Sequence, residues 1–228
     1  FCIGKDFDYI EGEGQKWRWV GAEAFGEQEV GGLSGAHPSP AHRENASLAI
    51  AALKLLESHN FKTNTSNIRT GLSTVKWPGR MEYFEQPFVG EDGAGKESEV
   101  RRYLLDGAHN LDGVKNLATT LKLRFEYENL ICIWGAMADK DLVGTLSLIG
   151  SMADQLILTQ AAGERSATVE YIHSYLPDEK KESAYLVPEG ADALALAQSK
   201  ATDKDLIVIG GSLYLIGAMR FRLLGDLV

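Results

Sequence analysis

The sequence predicts an α/β protein: a mainly parallel, doubly wound sheet, preceded by a smaller region of antiparallel strands plus helices. Past residue 80, short apolar runs alternate with segments whose apolar residues recur at helical spacing. The run from Tyr103 to Leu105 ends in the polar turn Asp106-Gly107-Ala108-His109-Asn110, after which Leu111, Val114, Leu117, Ala118 and Leu121 mark one helix face. Before residue 35, alternating runs are separated by glycine-rich turns, the pattern of antiparallel hairpins.

In chain order, residues 1–4, 16–20 and about 27–33 read as strands, with Trp17 and Trp19 on one face and assigned to a core. A helix opens at Asn45-Ala46, carries Ala46, Ile50, Leu53 and Leu55 or Leu56 on its apolar face, and ends near His59-Asn60. A second helix is expected over 66–75. Pro78-Gly79 then breaks the pattern and marks the first candidate domain boundary. A strand at 80–85, a polar loop at 90–99 and the central strand ending at Leu105 follow. Helix 111–125, strand 130–134, helix 141–152, strand 155–159 and helix 166–176 continue the alternation. Strand 184–187, helix 192–200, strand 206–209 and helix 213–224 complete it, with no long-period repeat.

The chain has 228 residues, 44% of them apolar, and a formal net charge of -9. That composition supports a sizeable core. It argues against nucleic-acid partners and against a polybasic membrane surface, without excluding a locally bound anion. Two cysteines are too few for a disulfide framework, and Cys132, between Ile131 and Ile133, reads as a buried free thiol. No apolar run reaches membrane-spanning length and no signal peptide is visible, so a reducing cytoplasm is expected. The chain opens on Phe1 in mid-pattern, which leads us to expect a piece of a longer protein.

In open α/β sheets, ligands bind beyond the carboxyl ends of strands. Four polar clusters fall there: 106–110, 135–141, 159–165 and 210–212. Asp139-Lys140-Asp141 follows a strand and is a site candidate, whereas Asp203-Lys204-Asp205 precedes one and is expected to be a solvated turn. Residues 90–97 nearly match a triphosphate-binding loop. However, Glu97 stands where a metal-holding hydroxyl is needed and a strand follows, so a polar hairpin loop is the better reading. His37 and His42 have no partner pair at zinc spacing, and no nucleophile elbow is present.

Trp77-Pro78-Gly79-Arg80, then Leu105-Asp106-Gly107-Ala108-His109-Asn110, then Asp139-Lys140-Asp141, then Gly211-Ser212-Leu213-Tyr214 occur in one order on this alternating pattern, after Asn45-Ala46. Taken together they resemble the folylpolyglutamate synthase/dihydrofolate synthase branch of the Mur ligase family, over essentially the whole chain. The resemblance implies that 1–75 is the tail (antiparallel strands plus helices) of an ATP-binding domain and 76–228 a Rossmann-like C-terminal domain. The P-loop and the Mg²⁺ ligands would then lie in an upstream part, with no metal ligands in this chain. It implies ATP-dependent addition of L-glutamate to dihydropteroate or folate through an acyl phosphate, and an inactive chain when isolated. It also implies a monomer.

By the same resemblance, Asn45 would contact adenine and Arg80 the nucleotide phosphates, where a guanidinium fork suits anionic oxygens. Asp106 would meet the nucleotide or order the site. His109 and Ser212 would lie at the glutamate and acyl-phosphate end, and Lys140 would pair with a glutamate carboxylate. This makes His109 and Asp106 the catalytic candidates. A peptidoglycan-precursor ligase and a stand-alone Rossmann-type ligand-binding module remain the alternatives.

Overall fold

The computed structural model describes residues 1–13, 16–34, 40–88 and 99–225. The near-match to a phosphate loop at 90–97, and His37, lie outside them. The chain divides into two compact units, Phe1–Lys76 and Trp77–Val228.

In the first unit, β1 (Phe7–Glu11), β2 (Trp17–Gly21) and β3 (Glu29–Leu33) form an antiparallel sheet in the order β1-β2-β3. Alternation on β2 points Trp17 and Trp19 inward, and a register shift between β2 and β3 lets both Val30 and Leu33 join them. With Phe7 they pack with Ile50, Ala51 and Ile68 of α1 (Pro40–Leu56) and α2 (Thr65–Thr74). The strand expected at 1–4 is absent. Asp6 accepts the Cys2 N–H at 2.7 Å, and the Gly4 N–H donates to Phe7 O at 2.8 Å, so this stretch is a closed turn with one isolated bridge from Ile3 to Phe7, and the ladder with β2 starts at Phe7. Helix α1 begins at Pro40, upstream of Asn45-Ala46. A proline at a helix start loses no hydrogen bond, because first-turn N–H groups have no intrahelical acceptor. Asn45 therefore lies within α1, exposed, and does not open it.

The second unit is a six-stranded sheet in the order β4-β5-β9-β6-β7-β8. Its strands are β4 (Glu82–Phe88), β5 (Glu99–Asp106), β6 (Leu130–Trp134), β7 (Gln155–Leu158), β8 (Tyr185–Leu186) and β9 (Leu206–Gly210). Only the β4–β5 pair is antiparallel. As an edge strand, β4 can carry Pro87, which has no N–H to give a neighbour. The connecting helices are α3 (Leu111–Arg124), α4 (Leu142–Met152), α5 (Val169–Ser174), α6 (Asp178–Lys181), α7 (Gly190–Lys200) and α8 (Leu213–Leu224).

Val114, Leu117, Leu146 and Ile172, from α3, α4 and α5, pack with Leu104, Cys132, Leu156 and Val208 on one face. Ala193, Ala197, Leu215, Ile216 and Met219, from α7 and α8, pack with Tyr103, Leu105, Ile131, Ile133, Ile207 and Ile209 on the other. Strands covered on both faces read as continuous apolar runs, and each large side chain buried this way contributes roughly 1.5–3 kcal/mol. Strand β4 starts later than 80 because Gly79 and Met81 have left-handed φ of 71° and 48° and make a turn.

The expectation for Asp203-Lys204-Asp205 needs correction. Asp205 is buried, not solvated. Its carboxylate accepts the Thr202 N–H at 2.8 Å and hydroxyl at 2.9 Å, plus the Asn129 N–H at 2.9 Å and side-chain amide at 2.8 Å. Burial raises its pKa, but the bonds from Thr202 and Asn129 together outweigh that and hold it below the ordinary carboxylate value.

Two tests follow from these burials. Because the folded pKa of Asp205 is depressed, its stabilisation is present above the unfolded value of about 3.9 and is lost as pH falls through the folded value. Asp205→Ala should therefore cost about 1–3 kcal/mol by urea unfolding at neutral pH, a difference that shrinks in acid. Burial pushes the Cys132 thiol up to about 12. A thiol reagent should thus titrate the exposed Cys2 alone in native protein and both cysteines after unfolding.

Candidate functional site

Strands β5, β9, β6 and β7 are adjacent and parallel, so their carboxyl ends share one rim. The four polar clusters picked out above leave this rim, and backbone bonds stitch them together. Gly211 N–H donates to Ala108 O at 3.0 Å, and Gly135 N–H to Gly210 O at 3.2 Å. Ala167 N–H donates to Ala136 O at 3.0 Å, and Ala138 N–H to Arg165 O at 2.9 Å. Gly211 has φ 91°, and a β-carbon there would strike the Gly135 carbonyl; only glycine allows this approach. Helix α3 leaves β5 toward one face and α8 leaves β9 toward the other. The crevice between these neighbouring strands is thus a topological switch point, where such sheets bind ligands.

At the end of β5, Asp106 is 6% exposed. One carboxylate oxygen accepts the Met81 N–H at 2.9 Å and the other the Ala108 N–H at 3.0 Å. The acid therefore orders the turn and ties the segment containing Arg80 to it. From that segment the Arg80 guanidinium donates to Gly107 O at 3.2 Å. His109 Nδ1 lies 2.8 Å from the same oxygen. A carbonyl only accepts, so Nδ1 carries the proton, leaving Nε2 as the second polar edge of this half-buried ring. One oxygen thus gathers a fixed cation and an imidazole. Gly107 has no side chain to intrude: a β-carbon there would lie 2.5 Å from Leu213 Cδ2 and 3.0 Å from Arg80 Nη1.

Ser212, 2% exposed, caps α8, its Oγ accepting the Tyr214 N–H at 3.2 Å and keeping its own proton to donate. Asn110 caps α3 by accepting the Gly113 N–H at 2.8 Å, and Asp141 caps α4 through the Gly144 N–H at 3.3 Å. Three helix N-termini therefore sit on one rim, where the helix dipole favours anions. Lys140 is exposed on the turn after β6, its N–H donating to Met137 O at 3.2 Å. Nearby, Arg165 pairs with Asp139 at 3.7 Å.

Arg80, Asp106, His109 and Ser212 are thus brought together on the turns flanking β5 and β9. Lys140 lies on the same rim, on the turn beyond. Asn45 belongs to the other unit. Sequence reasoning missed Glu82, Arg220 and the left-handed Met81, which shape the turn carrying Arg80; an ion pair between residues so far apart leaves no local pattern.

A family model described as "Mur ligase, glutamate ligase domain" matches residues 79–213. The chain belongs to the Mur ligase family. Among curated relatives of this Mur ligase chain, the folylpolyglutamate synthase of Lacticaseibacillus casei is 30% identical over 184 residues, covering 80% of the chain and 38% of the relative. The UDP-N-acetylmuramoyl-L-alanyl-D-glutamate–2,6-diaminopimelate ligase of Buchnera aphidicola is 32% identical over 174 residues, covering 75% and 32%. A solved bifunctional folylpolyglutamate synthase/dihydrofolate synthase, with Mn, AMPPNP and L-glutamate bound, superposes with a TM-score of 0.75 at 21% identity, over 98% of this chain and 47% of that one. This last likeness speaks to fold. The chain spans about two fifths of the length of the curated folate-enzyme relatives it matches.

The rim architecture predicts opposite outcomes for two alanine substitutions. Gly211→Ala should destabilise by more than about 2 kcal/mol, through its positive φ and the clash with Gly135. Gly217→Ala, whose β-carbon meets nothing within 4 Å on the exposed side of α8, should stabilise by about 0.5–1 kcal/mol. Thermal unfolding of both variants checks this, and a neutral Gly211→Ala would contradict the interlocked rim.

Proposed function

We propose that this chain is part of an ATP-dependent ligase that joins L-glutamate to dihydropteroate, folate or both. The observation that carries this reading is the shared Gly107 carbonyl, which sets the Arg80 guanidinium and the His109 imidazole side by side at the switch point. Residues 76–228 are the C-terminal domain in this reading, and 1–75 the end of an ATP-binding domain. The isolated chain then lacks turnover, and the whole enzyme works as a monomer in the cytoplasm.

In the reaction proposed, a carboxylate oxygen of the pteridine substrate attacks the γ-phosphorus of ATP. A P–O bond forms, the β–γ bridge breaks, and ADP leaves. The amine of glutamate then attacks the acyl carbon; the amide forms, inorganic phosphate departs with the C–O bonding pair, and the amine sheds its proton. The protein's part in such chemistry is placement and charge. Arg80 offsets charge on the nucleotide phosphates. His109 and Ser212 stand at the acyl-phosphate and glutamate end, where Nε2 can hold or pass a proton. Lys140 receives a glutamate carboxylate, Asp106 holds the turn that serves the nucleotide, and Asn45 meets adenine. Among the described residues, no group of three His, Cys, Asp or Glu side chains is placed to hold a metal ion. In this reading the Mg²⁺ that accompanies ATP takes its protein ligands from an upstream part of the enzyme.

The Buchnera relative favours a second reading, in which the amino acid added is diaminopimelate on a peptidoglycan precursor. The Asp106-Gly107-Ala108-His109-Asn110 motif favours the folate branch. Offering the intact protein labelled glutamate or diaminopimelate, each with its acceptor and ATP, separates the two.

In the intact protein, Arg80→Ala should lower ATP-dependent glutamate incorporation by about 10²-fold, and His109→Ala by about 10–10²-fold, with the fold retained. Steady-state incorporation with circular dichroism measures both. Unchanged turnover in the two variants would remove this site assignment.

A further inference from the structure

We propose that Glu82, held by Arg220, is a positioning residue that fixes the backbone on the N-terminal flank of Arg80, opposite the flank held by Asp106, and so sets where its guanidinium stands beside His109. The inference rests on the reading of Arg80 given above. The turn from Trp77 to Glu82 is tight and strained: Arg80 N–H donates to Trp77 O at 3.1 Å, and Met81 takes φ 48°, a region that side-chain-bearing residues rarely occupy. Such a conformation persists only where its surroundings over-determine it. Asp106 holds the Met81 N–H on the C-terminal flank of Arg80. On the N-terminal flank, Glu82 Oε2 accepts the Gly79 N–H at 2.7 Å, while Gly79 O accepts the Gly107 N–H at 2.8 Å. A carboxylate therefore grips the chain on each side of Arg80, and Gly107, whose oxygen receives the guanidinium, is tied into the same knot.

Glu82 keeps this orientation because Arg220 Nε reaches both of its oxygens, at 3.0 and 2.8 Å. The pair is largely withdrawn from solvent, with side chains 17% and 21% exposed. Spacing on α8 explains why Arg220 is there. Ser212, Ile216 and Arg220 recur every four residues on one helix face. The first caps the helix at the rim, the second packs against Gly79, and the third clamps Glu82. The helix that presents Ser212 thereby also sets the register of Arg80. A plain tether between β4 and α8 would serve stability alone, whereas a positioning pair makes Arg80's function depend on Glu82.

The test uses Glu82→Ala, Arg220→Gln, Arg220→Lys, Arg80→Ala and the double variant Glu82→Ala/Arg80→Ala in the intact protein. The readouts are KM for ATP, KM for glutamate and hydrogen exchange at the Gly79 and Met81 amides. Glu82→Ala should raise the KM for ATP about tenfold and leave the KM for glutamate in place. It should speed exchange at both amides by at least about tenfold, and add nothing to the kinetic defect of Arg80→Ala. Arg220→Gln should act in the same direction, and Arg220→Lys should restore part of the loss; these two carry the test if Glu82→Ala does not fold. Additive kinetic defects, equal changes in both KM values, or unaltered exchange would each overturn the proposal. If Arg80→Ala leaves ATP kinetics untouched while exchange at Gly79 and Met81 quickens in Glu82→Ala, the site reading falls and the backbone-holding role stands. If Arg80→Ala is impaired and Glu82→Ala is not, the positioning role falls.

Discussion

A carboxylate taken out of water at the end of β5 is the constraint on which the candidate site depends. A buried carboxyl group is costly unless its oxygens are occupied, and two backbone N–H groups, of Met81 and Ala108, are among the partners of Asp106. Satisfying it forces two stretches, distant in sequence, into one geometry: the turn that opens toward α3, and the segment that carries Arg80. The strained Met81 backbone is acceptable because its N–H is one of the groups Asp106 needs. What looks from the sequence like a ligand-facing acid is first a fastener.

Glycines then allow backbones to approach where side chains would keep them apart. Gly107 lets Leu213 and Arg80 lie against the chain, and Gly211 lets the turn after β9 reach Gly135. The result is a rim that carries three capped helix N-termini, with a guanidinium and an imidazole gathered on one carbonyl oxygen. That combination suits an anionic ligand with a titratable group beside it, as phosphoryl and acyl transfer require. Because α8 contributes Ser212 at its start, Ile216 one turn on and Arg220 beyond, a single rigid element keeps these parts in register.

The regular elements were most legible where burial repeats regularly, on both faces of a strand or along one face of a helix. The spans read for β6 and α8 match those observed, since continuous apolar runs and four-residue spacing leave little choice. Errors gathered where local pattern and tertiary demand differ. The apolar Phe1-Cys2-Ile3 run is a turn closed by Asp6. Helix α1 starts upstream of Asn45 because the polar residues before it are as compatible with a first turn as with a loop. Asp205 resembles a surface charge in sequence, yet it is buried by bonds from Thr202 and Asn129 that no short-range pattern reveals.

The alternation of strands and helices came from periodicity, because side-chain direction follows directly from helical or strand repeat. The rim on which polar turns would collect came from the rule that open sheets bind ligands beyond the carboxyl ends of their strands. The roles inside that rim did not. Whether Asp106 faces a ligand or a neighbouring N–H, which nitrogen of His109 carries its proton, and why Glu82 and Arg220 face one another depend on contacts between residues far apart in sequence. Such contacts come into being only when the chain packs, since their strength depends on distance and on exclusion of water, neither of which is written in the local order of residues.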